Sequence, residues 1–451
     1  MINYFGTSSN TIVIPEFGKE AVLDSVRKSQ RQMEEKDIAD KNTALDFYYN
    51  RNLDTHIEQW FTGGNLTQVP PFPQNMVSRF ARARMMLYKS PPLRLLDGME
   101  SDDYNNSVFK LNSKTREFAE ISWLLGECSF RTKWNERKQR LEYDILPITK
   151  KYYVNGESEP FGVSYEIDKD FKGSRRFVFW SEARDGEQGI HFIFDQGGKV
   201  IPVNDGMINP YDILPVSFMS YPSGASDVVR SAIQIGIAMT EIALGVRFSL
   251  GQPVITGVQD QDGLFAGIDK AILLPEGATF QYVSPSGSIT AMIESVKAFA
   301  NMVAENNHLR IRWGESGGNT PSGEALRILE IENMESRESD IPLWREWEQN
   351  RYEIDRTVIA VHTGKMLPEN LSLDFGEVSF PLSPSEERAW LDWKMDKGIM
   401  TKKELLLHFN PDMSDDELKL KMGELEEEQK VEAPVEAPIF EGLRRLGSVG
   451  A

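Results

Sequence analysis

Cysteine occurs once in 451 residues, at Cys128. A single thiol excludes an intrachain disulfide, and with no C-x-x-C pair or Cys/His cluster the sequence offers no zinc site. A reducing compartment is expected. Histidine is nearly as scarce, limited to His56, His191, His308, His362 and His408, and H-E-x-x-H does not occur. G-x-x-x-x-G-K-[ST] is also missing, so the chain has no phosphate-binding P-loop of its own. Ser25-Val26-Arg27-Lys28 fits S-x-x-K without the companion motifs that give that pattern meaning.

Long hydrophobic runs are lacking too. The most apolar window, Ser231 to Val246, contains Gln234 and Glu241 and is flanked by Arg230 and Arg247. Spanning a bilayer takes about 20 apolar residues, so this window is expected to be a buried helix, with no membrane partner. The first twenty residues show no basic stretch followed by an apolar run, and no signal peptide is expected. Basic surplus is absent as well: 50 Lys and Arg face 69 Asp and Glu, a net charge of −19. That excludes a protein that grips nucleic acid through its bulk surface, since phosphate affinity comes from clustered cations. DNA passing nearby without sticking stays compatible.

What is present is enough for folded structure. Hydrophobic residues make up 40% of the chain, and the length suggests roughly three domains at about 150 residues each. Lys19 to about Leu125 reads as mainly helical. "NMVSRFARARMMLYKSPP" is expected to run as helix until Pro91-Pro92 stop it, with Arg79, Arg82, Arg84 and Lys89 on a solvated face, contact with phosphate or an acidic neighbour being the alternative. From Ser129 to Tyr221 the texture is β-rich and antiparallel, punctuated by Asn155-Gly156, Asp185-Gly186, Gly197-Gly198 and Asp205-Gly206. Such pairs supply the positive-φ residues of hairpin turns. His191, set between apolar strand residues, reads as packed or surface.

A helix follows from about Asp227 to Leu250, apolar on more than one face, with Ala232, Gly236 and Thr240 spaced to admit a neighbouring helix or ordinary core packing. Gly251 to Ser288 is a Gly- and Pro-rich excursion. A second helix, Ile289 to Leu309, carries Ile289, Met292, Ile293, Val296, Phe299 and Val303 on one stripe, predicting one buried face. Thr320 and Pro321 then read as cap and first residue of a long helix to about Val361, kinked at Pro342. "LSLDFGEVSFPLS" reads as a strand returning to the body. Capping boxes at Ser383 to Glu386, Thr401 to Glu404 and Ser414 to Glu417 predict a compact helical module over 383–430. Beyond Val431 a charged, Pro-rich linker leads to "IFEGLRRLGSVGA", a docking peptide or a frayed tail.

Gly314-Glu315-Ser316-Gly317-Gly318 fits G-x-S-x-G, the strained turn of many serine hydrolases. That elbow needs a strand before the serine and a helix directly after it. Here a helix precedes, and Gly317 to Thr320 separate Ser316 from the next helix cap. His308 is near in sequence with no acid assigned to orient it. A loop linking two helices is the reading, with Ser316 catalysis as the rival.

The order of these parts resembles the portal protein of tailed double-stranded DNA bacteriophages. "FYYNRN" and "PQNMVSRFARARMMLYKSPP" look like that family's opening helices, and "YPSGASDVVRSAIQIGIAMTEIA" like the start of its stem helix. "LPEGATFQYVSPSGSITAMIESVKAFANMVAENNHLRI" looks like the clip returning through the second stem helix, and "TPSGEALRILEIENMESRE" like the long wing helix after the tunnel loop. The resemblance covers most of residues 40 to 430. The excursion is short for a clip, and the tail after Val431 has no obvious counterpart.

The resemblance implies an α+β fold with a wing over 1–225, stem helices at 226–250 and 289–309 and a clip at 251–288. It further implies a tunnel loop at 310–321, a long wing helix and return strand at 322–382, a crown at 383–430 and a flexible tail. It implies a homo-oligomer of twelve at one capsid vertex of the virion, assembled in the host cytoplasm. That ring would be a non-enzymatic channel through which double-stranded DNA is packaged and ejected. Implied partners are the terminase large subunit, a head-completion or adaptor protein, the major capsid protein and scaffold, with no cofactor and no metal. On this mapping Arg310, Arg312, Trp313, Glu315, Ser316 and Asn319 face DNA, and Arg310 and Arg312 serve equally well as salt-bridge partners between subunits. Gln259, Asp260, Asp262, Asp269 and Lys270 belong to the docking clip, and Ala232, Gly236 and Thr240 pack the stem. Twelve chains would carry 228 formal negative charges, and a channel sharing that bias would repel phosphate. Another oligomeric phage connector is a further alternative.

Overall fold

The computed structural model describes residues 11–29, 35–61, 70–99, 101–169, 173–203, 206–221, 224–248, 252–256, 279–283, 289–311, 328, 330–377, 384–410, 413–414 and 417–424. The chain forms two units, one of residues 1–317 and 330–378, the other of 318–329 and 379–451. Helices and sheets are mixed in an α+β arrangement.

The first unit opens with β1 (Thr11–Ile14), α1 (Lys19–Ser29), α2 (Glu35–Tyr49), α3 (Leu53–Glu58) and α4 (Val77–Arg84), then β2 (Leu93–Leu96), α5 (Asp102–Ser107) and α6 (Leu111–Leu125). α4 stops well before Pro91, correcting the expected boundary. Met85 leaves the helical region at φ −86°, ψ 51° and a 3-10 turn follows at Met86–Tyr88. This break turns Met85, Leu87 and Tyr88 all into the core. The solvated basic face needs correcting at Arg84, whose Nη1 donates to Asp340 Oδ2 at 2.6 Å in a largely buried pair. Arg79 and Lys89 are exposed as expected.

The β-rich stretch comprises β3 (Glu127–Asn135), β4 (Arg140–Leu146), β5 (Lys150–Val154), β6 (Gly162–Lys169), β7 (Arg175–Ser181), β8 (His191–Asp195), β9 (Val200–Pro202) and β10 (Val216–Ser220). Its internal pairings are antiparallel, in the orders β5-β6-β7-β8-β9 and β10-β3-β4. β1 joins the larger sheet in parallel beside β5, an addition from outside the stretch. At Asp185-Gly186, φ values of 52° and 82° sit between Arg184 and Glu187, whose amides and carbonyls bond reciprocally at 2.9 and 2.8 Å. This is the two-residue hairpin geometry that the dipeptide predicts.

β7 is buried on both faces, so its sequence reads as an unbroken apolar run. Phe177 and Phe179 pack with Phe192, Phe194, Tyr152 and the α1 residues Val22 and Val26. Val178 and Trp180 face Val163, Tyr165, Leu214 and Val216 on the other side. His191 lies opposite Trp180 and stacks on it with centroids 3.5 Å apart. Burial, helped by the Arg131 charge, brings its pKa down to about 4. A histidine kept neutral in the fold contributes stability that is complete above its ordinary pKa of about 6.5 and is lost as pH falls from there toward 4. His191→Phe is therefore expected to flatten the decline of Tm over that interval, read by circular dichroism against the parent chain. Cys128 is buried between β3 neighbours, and burial pushes its thiol up to about 12, which makes it an inert packing residue.

The remainder of the unit is α7 (Ser226–Phe248), β11 (Gln252–Thr256), β12 (Thr279–Val283), α8 (Ile289–Asn306), α9 (Ile331–Thr363) and β13 (Leu371–Asp374). β13 pairs antiparallel with β2, giving the expected returning strand its partner. α9 is described from Ile331, Ile328 just before it is also helical, and the expected start near Ser322 lies outside the described residues. Glu330, at φ −103° and ψ 10°, breaks the helical path there, and the expected cap at Thr320-Pro321 lies outside the described residues. α9 contains Pro342 and buries Trp344, Trp347, Tyr352 and Val358 against Phe118, Phe130 and Tyr88 in the main core. α6 ends at Gly126, where φ is +79° and the backbone meets Gly224 so closely that a side chain on either would press on the other.

In the second unit, α10 (Pro384–Asp396) and α11 (Lys402–Phe409) precede a helical stretch over 417–424. Thr401 and Glu404 form the expected reciprocal cap. Ser414 and Glu417 form another, with the Ser414 amide donating to Glu417 Oε2 at 3.0 Å and the Glu417 amide to Ser414 Oγ at 3.4 Å. The cap at Ser383 and the tail beyond residue 424 lie outside the described residues.

Candidate functional site

α7 and α8 form the arrangement that the sequence singled out. The chain leaves the main core through α7, enters β11, returns through β12 and comes back along α8. β11 and β12 pair antiparallel from Gln252↔Val283 to Thr256↔Thr279. The clip residues Gln259, Asp260, Asp262, Asp269 and Lys270 lie outside the described residues. So do Arg312, Trp313, Glu315, Ser316 and Asn319, whereas Arg310 is described and exposed.

The base of this excursion is fixed by polar contacts. Asn307 Nδ2 donates to Asp227 Oδ2 at 3.0 Å and to the Val303 carbonyl at 2.9 Å, joining the first turn of α7 to the end of α8. Leu309 is buried in the core just beyond. The small-residue stripe is used within the chain: Ala232 and Thr240 are fully buried, and a Cβ on Gly236 would lie 2.6 Å from Ile57 Cδ1 on α3. Thr240 Oγ1 donates to the Gly236 carbonyl at 2.8 Å and accepts from the Phe72 amide at 2.9 Å. The close approach that these residues allow is thus to α3 and the 70–75 segment.

Gly236→Val is expected to destabilise the chain by about 1–3 kcal/mol through overpacking, because Ile57 is itself fully buried. Gly245 has nothing within 4 Å of its would-be Cβ, so Gly245→Ala should be neutral or stabilise by up to about 1 kcal/mol. Urea unfolding of the two variants tests the contrast.

Burial falls along the excursion. Val228, Ala232 and Ile235 are enclosed, while Val246 near the far end is 50% exposed. By length and composition α7 is long and apolar enough to cross a membrane, with 44% of that window buried inside the chain. On α8 only Ala300, Val303 and Ala304 are buried, and Met292 (43%) and Met302 (55%) stand exposed. Of the expected buried face of α8, Val303 is buried, Ile289, Ile293, Val296 and Phe299 are half-buried, and Met292 is exposed. A cavity of about 300 Å³ between α4, α7 and α8 is lined by Met76, Phe80, Met239, Ile293, Val296 and Ile311.

Charge on the pair is nearly balanced: Asp227, Glu241, Glu294 and Glu305 against Arg230, Arg247 and Lys297. The acidity of the chain lies elsewhere, for instance in 383–430 with 13 acids to 8 bases. The expectation of a strongly acidic conduit is thus not carried by these two helices.

Sequence reasoning missed a buried ionic cluster on α9. Glu348, Arg351 and Asp355 are fully buried one above another, and Arg94 of β2 joins them. Arg94 Nη2 meets Glu348 Oε1 at 2.5 Å and Arg351 Nη2 meets Glu348 Oε2 at 2.8 Å. Asp355 pairs with Arg351 and accepts from Tyr104, Tyr143 and Thr132 at 2.9, 2.9 and 2.8 Å. Burial pushes both carboxyls up. At Glu348 the guanidiniums of Arg94 and Arg351 overcome it and hold the group at about 2. Asp355 has only Arg351 as counter-charge and stays above its ordinary value. The signal was legible in principle: 344, 348, 351, 355 and 358 continue one helical stripe, and polar residues on an apolar stripe must be paired.

Among the described residues no group of three or more His, Cys, Asp or Glu is placed to hold a metal ion. His56, His362 and His408 each pair with one acid, Asp46, Glu136 and Glu387. No protein-family model matches the chain, and no curated protein matches it.

Proposed function

We propose that this chain is the subunit of a ring-shaped portal, a non-enzymatic channel for double-stranded DNA at one vertex of a phage capsid. The observation that carries the reading is the α7–β11–β12–α8 excursion. Two helices leave a well-packed core with their base pinned by Asp227 and Asn307, while Met292 toward the far end of α8 and Met302 near its base stand exposed. Apolar positions of this kind are what a neighbouring copy covers in a closed ring, where each subunit offers one face and receives another. The near-neutral charge of the pair suits packing of like helices side by side, since balanced charges avoid mutual repulsion. On this reading α7 and α8 are the stem, the segment between β11 and β12 is the platform for terminase and later for adaptor proteins, and residues 310–321 face the DNA.

Native mass spectrometry of the purified protein tests the proposal. A particle near 616 kDa, twelve times the 51.3 kDa chain, is the expected result. A chain that stays monomeric both alone and with scaffold would overturn it.

A further inference from the structure

Among the described residues, the helices of the second unit bury few apolar side chains. Among the described residues of 384–424, Leu391 (6%) and Leu418 (3%) are the buried apolar side chains. Trp390 (47%), Trp393 (44%), Ile399, Phe409 and Leu420 are exposed. Trp390 and Trp393 lie one turn apart on α10 and stack face to face, with centroids 5.0 Å apart and 7° between planes. The Lys394 ammonium sits 5.1 Å from the Trp390 ring centre. Each indole offers roughly 150–250 Å² for burial, and the stacked pair makes one exposed apolar face. The face calls for a cover.

Charge narrows the choice. Glu386, Glu387, Asp392 and Asp396 accompany the tryptophans on α10, within a segment where acids outnumber bases. That disfavours nucleic acid, whose phosphates need cations, and suits an apolar segment carrying positive charge. The chain supplies one. Ile439, Leu443 and Leu446 recur at i, i+4 and i+7 with Phe440 beside them, and Arg444 and Arg445 flank the stripe. This is the anchor pattern of an amphipathic helix that lays its apolar face on a hydrophobic surface. In the sequence, residues 425–438, with Pro434, Pro438 and several glutamates, make a 14-residue spacer before this stripe. Fully extended it reaches about 46–50 Å, ample for a return to α10.

We infer that residues 439–446 dock as a helix on the Trp390/Trp393 face of their own chain. Leu443 seats against the indoles, and Arg444 and Arg445 pair with the α10 carboxylates. The inference does not rest on ring formation.

The test uses the full-length chain with photoreactive p-benzoylphenylalanine at position 440. Irradiation is expected to give adducts within residues 384–409 of the same chain, established by mixing ¹⁵N-labelled and unlabelled protein. Adducts that are absent, fall elsewhere, or join two chains overturn the inference. As an independent readout, Leu443→Asp with Leu446→Asp should speed amide exchange across 384–409 by about tenfold, as should deletion of 432–451. Unchanged exchange in both variants also overturns it.

Discussion

Arg351→Met is expected to destabilise the chain by about 3–5 kcal/mol, the cost of leaving a buried ion without its partner. Arg351 is fully buried, and its guanidinium serves Glu348 through Nε and Nη2 at 3.1 and 2.8 Å while also pairing with Asp355. Without it Glu348 keeps Arg94, but Asp355 is left with the hydroxyls of Tyr104, Tyr143 and Thr132 and no positive charge. Hydroxyl donors alone do not offset the desolvation of a carboxylate in a dry core. Denaturant unfolding of the purified variant measures the loss. Adding Asp355→Leu to Arg351→Met removes the stranded charge and should recover more than half of it, a coupling that a double-mutant cycle reads directly. Arg351→Lys keeps the charge without the planar fork and should fall between the two. A loss below about 1 kcal/mol for Arg351→Met would mean that the cluster contributes little to the fold.

On the proposed portal reading, Met292→Glu combined with Met302→Glu is expected to abolish ring assembly while leaving the chain folded. Both methionines are substantially exposed in the single chain, and exposed substitutions of this kind usually cost a subunit within about 0.5 kcal/mol. In the proposed ring the same positions would lie between neighbouring stems. Each interface would then lose roughly 1.5–3 kcal/mol per methionine side chain, with the further cost of desolvating a carboxylate. The loss recurs at every interface of a closed ring, so the ring population should vanish. Native mass spectrometry with far-ultraviolet circular dichroism separates dissociation from unfolding. Persistence of full-size rings would place these methionines away from the subunit contact and remove the proposed stem packing.

Much of this architecture was written in local signals. The caps at Thr401 and Ser414, the Asp185-Gly186 turn and the two helices around the Gly/Pro-rich excursion each depend on residues close in sequence, which is why they could be read. The features that escaped depend on distant partners. Arg84 looked like part of a solvated face because its acid, Asp340, is 256 residues away. The parallel pairing of β1 with β5 and the β2–β13 ladder join segments well over 100 residues apart. Glu348 and Asp355 drew no notice in the sequence because Arg94, Tyr104, Thr132 and Tyr143, which converge on them, lie more than 200 residues away. At the candidate site the helices and the Ala232, Gly236 and Thr240 stripe were legible. The partner of that stripe, Ile57 and the chain near Pro73, was not.

α9 runs for 33 residues, roughly 50 Å of continuous helix. Its first turns are fastened by the Asn333 amide donating to the Ala83 carbonyl, by Arg337 donating to the carbonyls of Phe375 and Gly376, and by Asp340 paired with Arg84. On the other side of residues 312–329, α8 is anchored through Leu309 and the Asn307–Asp227 bond. Both ends of that span are therefore tied to one core by contacts that do not stretch. A force applied at either mounting point is therefore passed into the packed core through Leu309, Asn307, Asn333 and Arg337, with no hinge between those anchors and the core.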